Sequence, residues 1–227
     1  MPKVLAFDYD GTIARGGLLP ETMRAALQAA RHAGCALVLV TGRIYPELLR
    51  ELPDVLALFD RVVLENGAVL VRPGGQPVPL AEPVDERFDR ALLEQGVDTL
   101  RGQVHVALEA RHEERAKRVV EELGLDVRMV RNRSALMVAP PSVSKASGLS
   151  HALASLGVSE GEAIAVGDAE NDVTMISACA LGVAVGDAVA ELTSVADVVL
   201  EKPGPEGAAE FVFGLVAAAR PGTSRDR

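Results

Sequence analysis

Short apolar runs alternate with amphipathic segments along most of the chain. The runs at 3–7, 35–40, 61–64, 163–166, 182–185 and 198–200 are continuous rather than alternating, which predicts strands buried on both faces. Between them, apolar residues recur at helical spacing. Pro20 opens one such segment, Met23, Ala26, Leu27 and Ala30 form its stripe, and Gly34 ends it. Another spans 145–156, with Leu149, Leu153 and Leu156 inward and Gly157 closing. Further helices fit 169–180, 187–196 and 206–219. Buried strands alternating with helices predict an α/β fold, a parallel sheet flanked by helices.

The middle of the chain breaks this rhythm. Residues 72–84 carry Pro73, Gly74, Gly75, Pro77, Pro79 and Pro83, a linker composition. A helix (85–95), a strand (103–109), a charged helix (111–123) and two adjacent strands (126–131 and 134–139) follow, and Pro140-Pro141 closes the segment. Adjacent strands predict an antiparallel or mixed sheet. The expected organisation is a core of 1–72 and 143–220, a small α/β domain inserted at 82–141, and a flexible tail at 221–227.

Composition narrows the function classes. The chain has 227 residues, 48% of them hydrophobic, enough for a packed core. A net charge of −9 argues against a general nucleic-acid or anionic-membrane binder. Aromatics make up 3% and Trp is absent, so stacking on bases is not expected to be the main activity. Cys35 and Cys179 stand far apart in no CxxC pattern, as small buried hydrophobes do. No apolar run approaches the ~18 residues of a membrane span, and the start Met-Pro-Lys-Val has no leader pattern. A cytoplasmic protein with no nucleic acid and no membrane partner is expected. Nothing in the sequence separates a monomer from a homodimer.

The chemistry-bearing residues collect where the strands end. The first strand runs into Asp8-Tyr-Asp10-Gly-Thr12, the second into Thr41-Gly42-Arg43, the third into Glu65-Asn66-Gly67-Ala68. The fourth runs into Gly167-Asp168-Ala-Glu-Asn171-Asp172, and Lys145 opens the helix after the insertion. Each group alone reads as a turn, a cap or a solvated side chain. Four fixed letters in D-x-D-G-T occur by chance at only about one in a thousand chains of this length. G-D-x-x-x-D at the same edge of the same sheet removes coincidence as an account. Ligands of open parallel sheets sit at that edge.

Two close acids repel and resist burial, so a cation is expected to compensate them. Carboxylates without His or Cys suit a hard cation, and Mg²⁺ prefers oxygen ligands. Asp8, the main-chain carbonyl of Asp10, and Asp168 offer three oxygens, and Asp172 either binds directly or holds a water. Lys145 and Thr41, opposed to such a cation, make sense with an anion between them, and phosphate fits. Asp8 is then a nucleophile toward phosphorus and Asp10 an acid and base.

These residues, in order, resemble the four motifs of haloacid dehalogenase superfamily phosphatases. The resemblance covers about 1–72 and 143–215. The insertion lies where the Cof-type subgroup carries an α/β cap, and Glu65-Asn66-Gly67-Ala68 and Gly182-Val-Ala-Val-Gly186-Asp-Ala188 also look like that subgroup. The resemblance implies a Rossmann-type core and an Mg²⁺-dependent phosphatase working through an aspartyl-phosphate. Its catalytic residues would be Asp8 and Asp10, and Thr41, Gly42, Arg43, Lys145 and Asn171 would face the phosphate. The metal site would comprise Asp8, Asp10, Asp168 and Asp172. The second Asp of the first motif implies phosphoester chemistry rather than dehalogenation. Where that subgroup often has Asn, Asp187 is expected to cap the next helix.

Length and cap size look most like archaeal-type phosphoglycolate phosphatases. The expected partner is a small phosphorylated metabolite, with sugar-phosphate phosphatases and phosphomutases as alternatives. A mutase needs a second phosphate grip, and Arg128, Arg131 and Arg133 are the cap residues expected to touch substrate. Arg111, Arg115, Lys117 and Arg118 read as a solvated helix face.

Overall fold

The computed structural model describes residues 1–219, and the expected 221–227 tail lies outside the described residues. Strands β1 (Val4–Phe7), β2 (Ala36–Val40) and β3 (Arg61–Leu64) are separated by helices α1 (Glu21–His32), α2 (Tyr45–Glu51) and α3 (Val55–Leu58). Strands β4 (Val69–Val71) and β5 (Val78–Pro79) follow. The inserted segment holds α4 (Glu86–Glu94), β6 (Thr99–Arg101), β7 (Val106–Glu109), α5 (Glu113–Leu123), β8 (Arg128–Asn132) and β9 (Ala135–Ala139). The chain then runs through α6 (Lys145–Ala154), β10 (Ala163–Gly167), α7 (Val173–Ala178), β11 (Leu181–Ala184), α8 (Ala190–Thr193), β12 (Val198–Val199) and α9 (Gly204–Ala219).

The larger sheet has the order β12-β11-β10-β1-β2-β3-β4-β5. It is parallel from β12 to β3. The apolar run of β1 explains its central place: all four residues are buried, alternating between two cores. Leu5 and Phe7 join Met23 and Leu27 of α1 and Val212 of α9. Val4 and Ala6 join Leu149 and Leu153 of α6 and Ile176 of α7. Burying a side chain of this kind contributes about 1.5–3 kcal/mol, so the layers on both faces hold β1 firmly.

Two features depart from the sequence-based expectation. The proline-rich segment does not leave the sheet near 72. It turns at Arg72–Gly75 and sends β5 back antiparallel against β4, so the main sheet continues to Pro79. An edge strand tolerates such a proline because one side of it needs no partner. The helices after motif loops are also shorter than their apolar spacing suggests: α7 covers 173–178 and α8 covers 190–193. The loop residues before α7 are held by side-chain bonds described below, which leave less chain for regular helix.

The inserted segment forms a second sheet, β6-β7-β9-β8, antiparallel throughout. One face packs on α4 and α5 through Phe88, Leu92, Val106, Leu108, Val119, Leu136 and Val138. Alternation sends Ala107, Ala135 and Met137 to the other face, toward the main sheet. Strand β6 escaped the sequence reading because Leu100 is exposed and the run is only three residues long. Among the described residues, no helix is long and apolar enough to cross a membrane.

The loop after β3 and the start of α6 approach so closely that glycine is required. A Cβ on Gly67 would lie 1.9 Å from the Ser144 carbonyl oxygen, and its φ of +109° disfavours side chains. Gly67→Ala is therefore expected to lower stability by about 2–5 kcal/mol, the sum of backbone strain and overpacking. Urea denaturation measures it, and a loss below about 1 kcal/mol would mean that the contact relaxes.

Candidate active site

Three motif loops converge because β1 lies between β10 and β2. From β1 the chain winds outward through β2 and β3, and later returns to wind the other way through β10 and β11. This is the switch point at which open parallel sheets present a crevice. Asp8 follows β1 directly, Thr41 follows β2 and Asp168 follows β10.

Asp8, Asp168 and Asp172 are buried, and each offers a carboxylate oxygen within 4.8 Å of the others. Lys145, wholly enclosed at the start of α6, donates from Nζ to Asp8 Oδ1 and Asp172 Oδ1, 2.5 Å each. The other oxygen of Asp172 accepts from the backbone N–H groups of Asp168 and Ala169, both at 3.0 Å. Thr12 donates its hydroxyl to Asp168 Oδ1 at 3.0 Å. Arg133, at the β8–β9 turn of the second sheet, donates to Asp168 Oδ2 from Nε and Nη2. Gly11 completes the first motif: its φ is +88°, and a Cβ there would lie 2.4 Å from Asp168 Oδ2.

Burial dominates the electrostatics. It pushes the Asp8 carboxyl well above the usual carboxylate range; Lys145 opposes that shift while Asp172 and Asp168 add to it. Asp168 is raised by burial and by Asp172, against Arg133 and Lys145. Burial alone would lower Lys145, but Asp172 and Asp8 outweigh it and keep the ammonium charged. Three carboxylates thus face two cationic side chains: Asp168 pairs with Arg133, while Asp8 and Asp172 share the one ammonium of Lys145. An all-oxygen, net-negative donor set of this kind fits a hard divalent cation.

Asp10 does not join this cluster. Its two oxygens accept from Arg43 Nε and Nη2 at 2.6 and 2.7 Å. Arg43 also pairs with Glu51 at 2.8 Å and lies over the Tyr9 ring. The arginine expected to face phosphate is thus committed to carboxylates in this structure. The expected metal role of Asp10 involved its main-chain carbonyl, so the outward side chain leaves that expectation open. Asp8, Asp10, Thr41, Gly42 and Arg43 line one wall of a cleft of about 330 Å³, and the second sheet forms the other. Asn171 donates to Asn66 Oδ1 at 2.8 Å and lines a smaller cavity beside Lys145.

The three cap arginines separate. Arg133 reaches the carboxylate cluster. Arg128 donates to the Val143 carbonyl at 2.9 Å. Arg131 pairs with Glu113 on an exposed face, away from the cleft, because Glu113 is the nearer charge. Lys117 pairs with Glu113 and Glu114, as expected of a solvated helix face. Asp187 accepts from the backbone N–H of Gly204 at 2.8 Å, so it secures the start of α9 rather than capping α8.

The structure gives Glu65, singled out at a strand end without a role, its partners, and adds His105, which sequence reasoning did not single out. Glu65, buried in a left-handed conformation (φ 53°), accepts from the backbone N–H groups of Gln103, Val104 and His105 at 2.8, 2.9 and 3.1 Å. It ties the second sheet to the main one. Gly102 leaves room for it; a Cβ there would meet the Glu65 carboxyl at 2.4 Å. His105 is buried in the cleft wall. A glycine closing a three-residue strand was the sole sequence trace of this contact.

The model of the haloacid dehalogenase-like hydrolases matches residues 5–94 and 103–212. The chain belongs to this family. It is a hydrolase whose matched region includes every residue of the buried cluster. A phosphoglycolate phosphatase of Aeropyrum pernix is 30% identical over 231 residues, covering 96% of this chain and 95% of that one. One of Methanoculleus marisnigri is 31% identical, covering 93% and 96%. A solved sugar phosphatase of subclass IIB in the same superfamily shares the fold, with a TM-score of 0.77 at 21% identity, covering 94% of this chain and 98% of that one.

The Glu65 contact generates a prediction for this hydrolase. Glu65→Gln replaces one acceptor oxygen by a donor facing N–H groups. Hydrogen bonds to a charged group contribute roughly 1.5–3 kcal/mol, so stability is expected to fall by about that amount. Amide exchange at 103–105 should quicken at least about tenfold. Unchanged exchange at those amides would remove Glu65 as the tie.

Proposed function

We propose that this hydrolase is an Mg²⁺-dependent phosphatase acting on a small phosphorylated metabolite through an aspartyl-phosphate on Asp8, with phosphoglycolate as the favoured substrate. The observation that carries the reading is the separation of the two acids of the first motif. Asp8 sits in the buried cluster against Lys145, and Asp10 stands in the cleft on Arg43.

Asp8, Asp168 and Asp172 would hold the cation, together with the main-chain carbonyl of Asp10. Bound there, Mg²⁺ would supply positive charge to the oxygens of the transferring phosphoryl group. Asp172 also accepts from Lys145 and from the backbone N–H groups of Asp168 and Ala169, so it fixes Lys145 and the Asp168 loop as well. Asp8 attacks phosphorus and the bond to the leaving oxygen breaks. Asp10, oriented by Arg43, gives that oxygen a proton. A water then attacks the aspartyl-phosphate, Asp10 takes its proton, and phosphate leaves as the Asp8 carboxylate is restored. Lys145, bonded to Asp8, and the Thr41 hydroxyl, in the cleft wall, would stabilise the phosphoryl oxygens.

The second sheet works in this reading as a cap over 82–141 that covers the cleft and excludes water. The full-length relatives named phosphoglycolate phosphatase support that substrate. The fold shared with a sugar phosphatase keeps sugar phosphates as the second reading. A phosphomutase is not favoured, since Arg128, Arg131 and Arg133 all have partners already.

Asp8→Asn is expected to abolish turnover of p-nitrophenyl phosphate in a folded protein, because an amide does not attack phosphorus. More than about a hundredth of wild-type kcat would be inconsistent with a covalent step on Asp8. Asp10→Asn should lower kcat by about 10²- to 10⁴-fold, less for p-nitrophenolate than for poor leaving groups. Equal losses would argue against proton donation.

Chelation gives an independent test. EDTA should remove activity and Mg²⁺ restore it, and Asp168→Ala should weaken Mg²⁺ binding measured by calorimetry at least about tenfold. Full activity after exhaustive chelation would sink the metal assignment.

A further inference from the structure

His105 is the one buried side chain in the cleft wall whose chemistry remains without a use. It is 1% exposed, yet neither Nδ1 nor Nε2 has a hydrogen-bond partner. A buried polar group left in this way costs free energy, and native structures rarely leave one without a bound water or ligand. The ring lines the cleft shared with Asp8, Asp10, Thr41, Gly42 and Arg43. It is also fixed there. Glu65 accepts from the His105 backbone N–H and from the two N–H groups before it, so the loop after β3 sets where the imidazole stands relative to Asp8. A contact held this way is preorganised for a ligand rather than left to chance.

The rest of the wall bears on the ligand's class. From the second sheet it comprises Leu100, Ala107, Ala135 and Met137, with Asn132 the one other polar residue. A hexose brings several hydroxyls, and each needs a partner once water is excluded. A wall of four apolar side chains and two polar ones cannot serve them. It suits a short leaving group with one strongly polar end. Burial pushes His105 below the usual imidazole range, partly offset by Glu65. The ring is then neutral, with one nitrogen donating and the other accepting. A lone unpartnered donor in a mostly apolar wall is best matched by an anionic acceptor.

We propose that His105 receives the non-phosphoryl end of the substrate, and that this end is a carboxylate on a one- or two-carbon stem, as in 2-phosphoglycolate. This inference rests on the phosphatase reading and adds to it the group that selects the substrate. The imidazole N–H donates to the substrate carboxylate while the phosphoryl group lies against Asp8 at the other wall of the cleft. His105 takes no part in bond breaking; it is a specificity residue.

The test compares wild type, His105→Leu and His105→Gln with 2-phosphoglycolate, ethyl phosphate, glucose 6-phosphate and p-nitrophenyl phosphate. Ethyl phosphate has the same two-carbon stem and lacks the carboxylate. Wild type should favour 2-phosphoglycolate over ethyl phosphate by about 10- to 100-fold in kcat/KM, the weight of a hydrogen bond to a charged group. His105→Leu should cut that ratio at least about fivefold, chiefly through KM for 2-phosphoglycolate, and His105→Gln, which keeps a donor, should restore part of it. A ratio unchanged by His105→Leu, or equal losses on both substrates, would overturn the assignment. Should the leucine variant not fold, the glutamine variant carries the same comparison, and a ratio equal to wild type with a raised KM for both substrates would count against it. Preference of wild type for glucose 6-phosphate, with Asp8-dependent hydrolysis intact, would overturn the carboxylate while leaving the phosphatase reading in place. Hydrolysis of none of the four would overturn that reading and this one together.

Discussion

The burial of three carboxylates beside one ammonium is the constraint around which the molecule is arranged. An isolated buried charge costs several kcal/mol, and two like charges cost more. Lys145 therefore has to arrive at one place, between Asp8 and Asp172, with little freedom. The start of α6 delivers it there. Ser144 and Ser147 cap that helix reciprocally, and Gly148 packs so closely on the loop after β3 that a Cβ would lie 2.4 Å from the Gly67 Cα. The apolar strands serve the same end, since a sheet covered on both faces gives the strand ends a dry, rigid base. Glycines at 11, 67 and 148 let backbone approach where side chains would hold the loops apart.

Within this arrangement the two acids of D-x-D-G-T reach different environments. Asp8 leaves β1 into the cluster. The chain then turns through Gly11, whose N–H is bonded to the Ala14 carbonyl, and Asp10 faces the cleft. Its guanidinium partner is itself braced by Glu51 and by the Tyr9 ring. A single short motif thus yields one carboxylate removed from water and one at its edge. That difference in surroundings gives the proposed nucleophile and the proposed proton donor separate tasks.

Much of this was legible in the residues, for a physical reason. Continuous apolar strands with acids at their ends leave few arrangements, so the parallel core and the convergence of Asp8, Thr41, Lys145 and Asp168 followed from type and position. What escaped depends on contacts that carry no residue signature. Glu65 is held by backbone N–H groups, which any sequence at 103–105 supplies. His105 is informative through what it lacks, and an unpartnered ring is visible only in three dimensions. β5 was hidden because prolines read as linker, although an edge strand accepts them. Arg43 was assigned to phosphate by its neighbours Thr41 and Gly42, yet Asp10 and Glu51 are closer claims on its charge.

The two ties between the second sheet and the catalytic loops are unequal in kind, and the inequality bears on what places the cap. Arg133 meets the buried Asp168 with a side chain that is 49% exposed, so solvent screens the pair from the arginine side. It also competes for the same carboxylate that the proposed cation would use. Glu65 meets three consecutive N–H groups from a buried position, independent of any cation and shielded from salt. The second contact is therefore the one that fixes the cleft's far wall. Because it ends at His105, the same interaction that seats the second sheet also sets the distance from the unpartnered imidazole to Asp8.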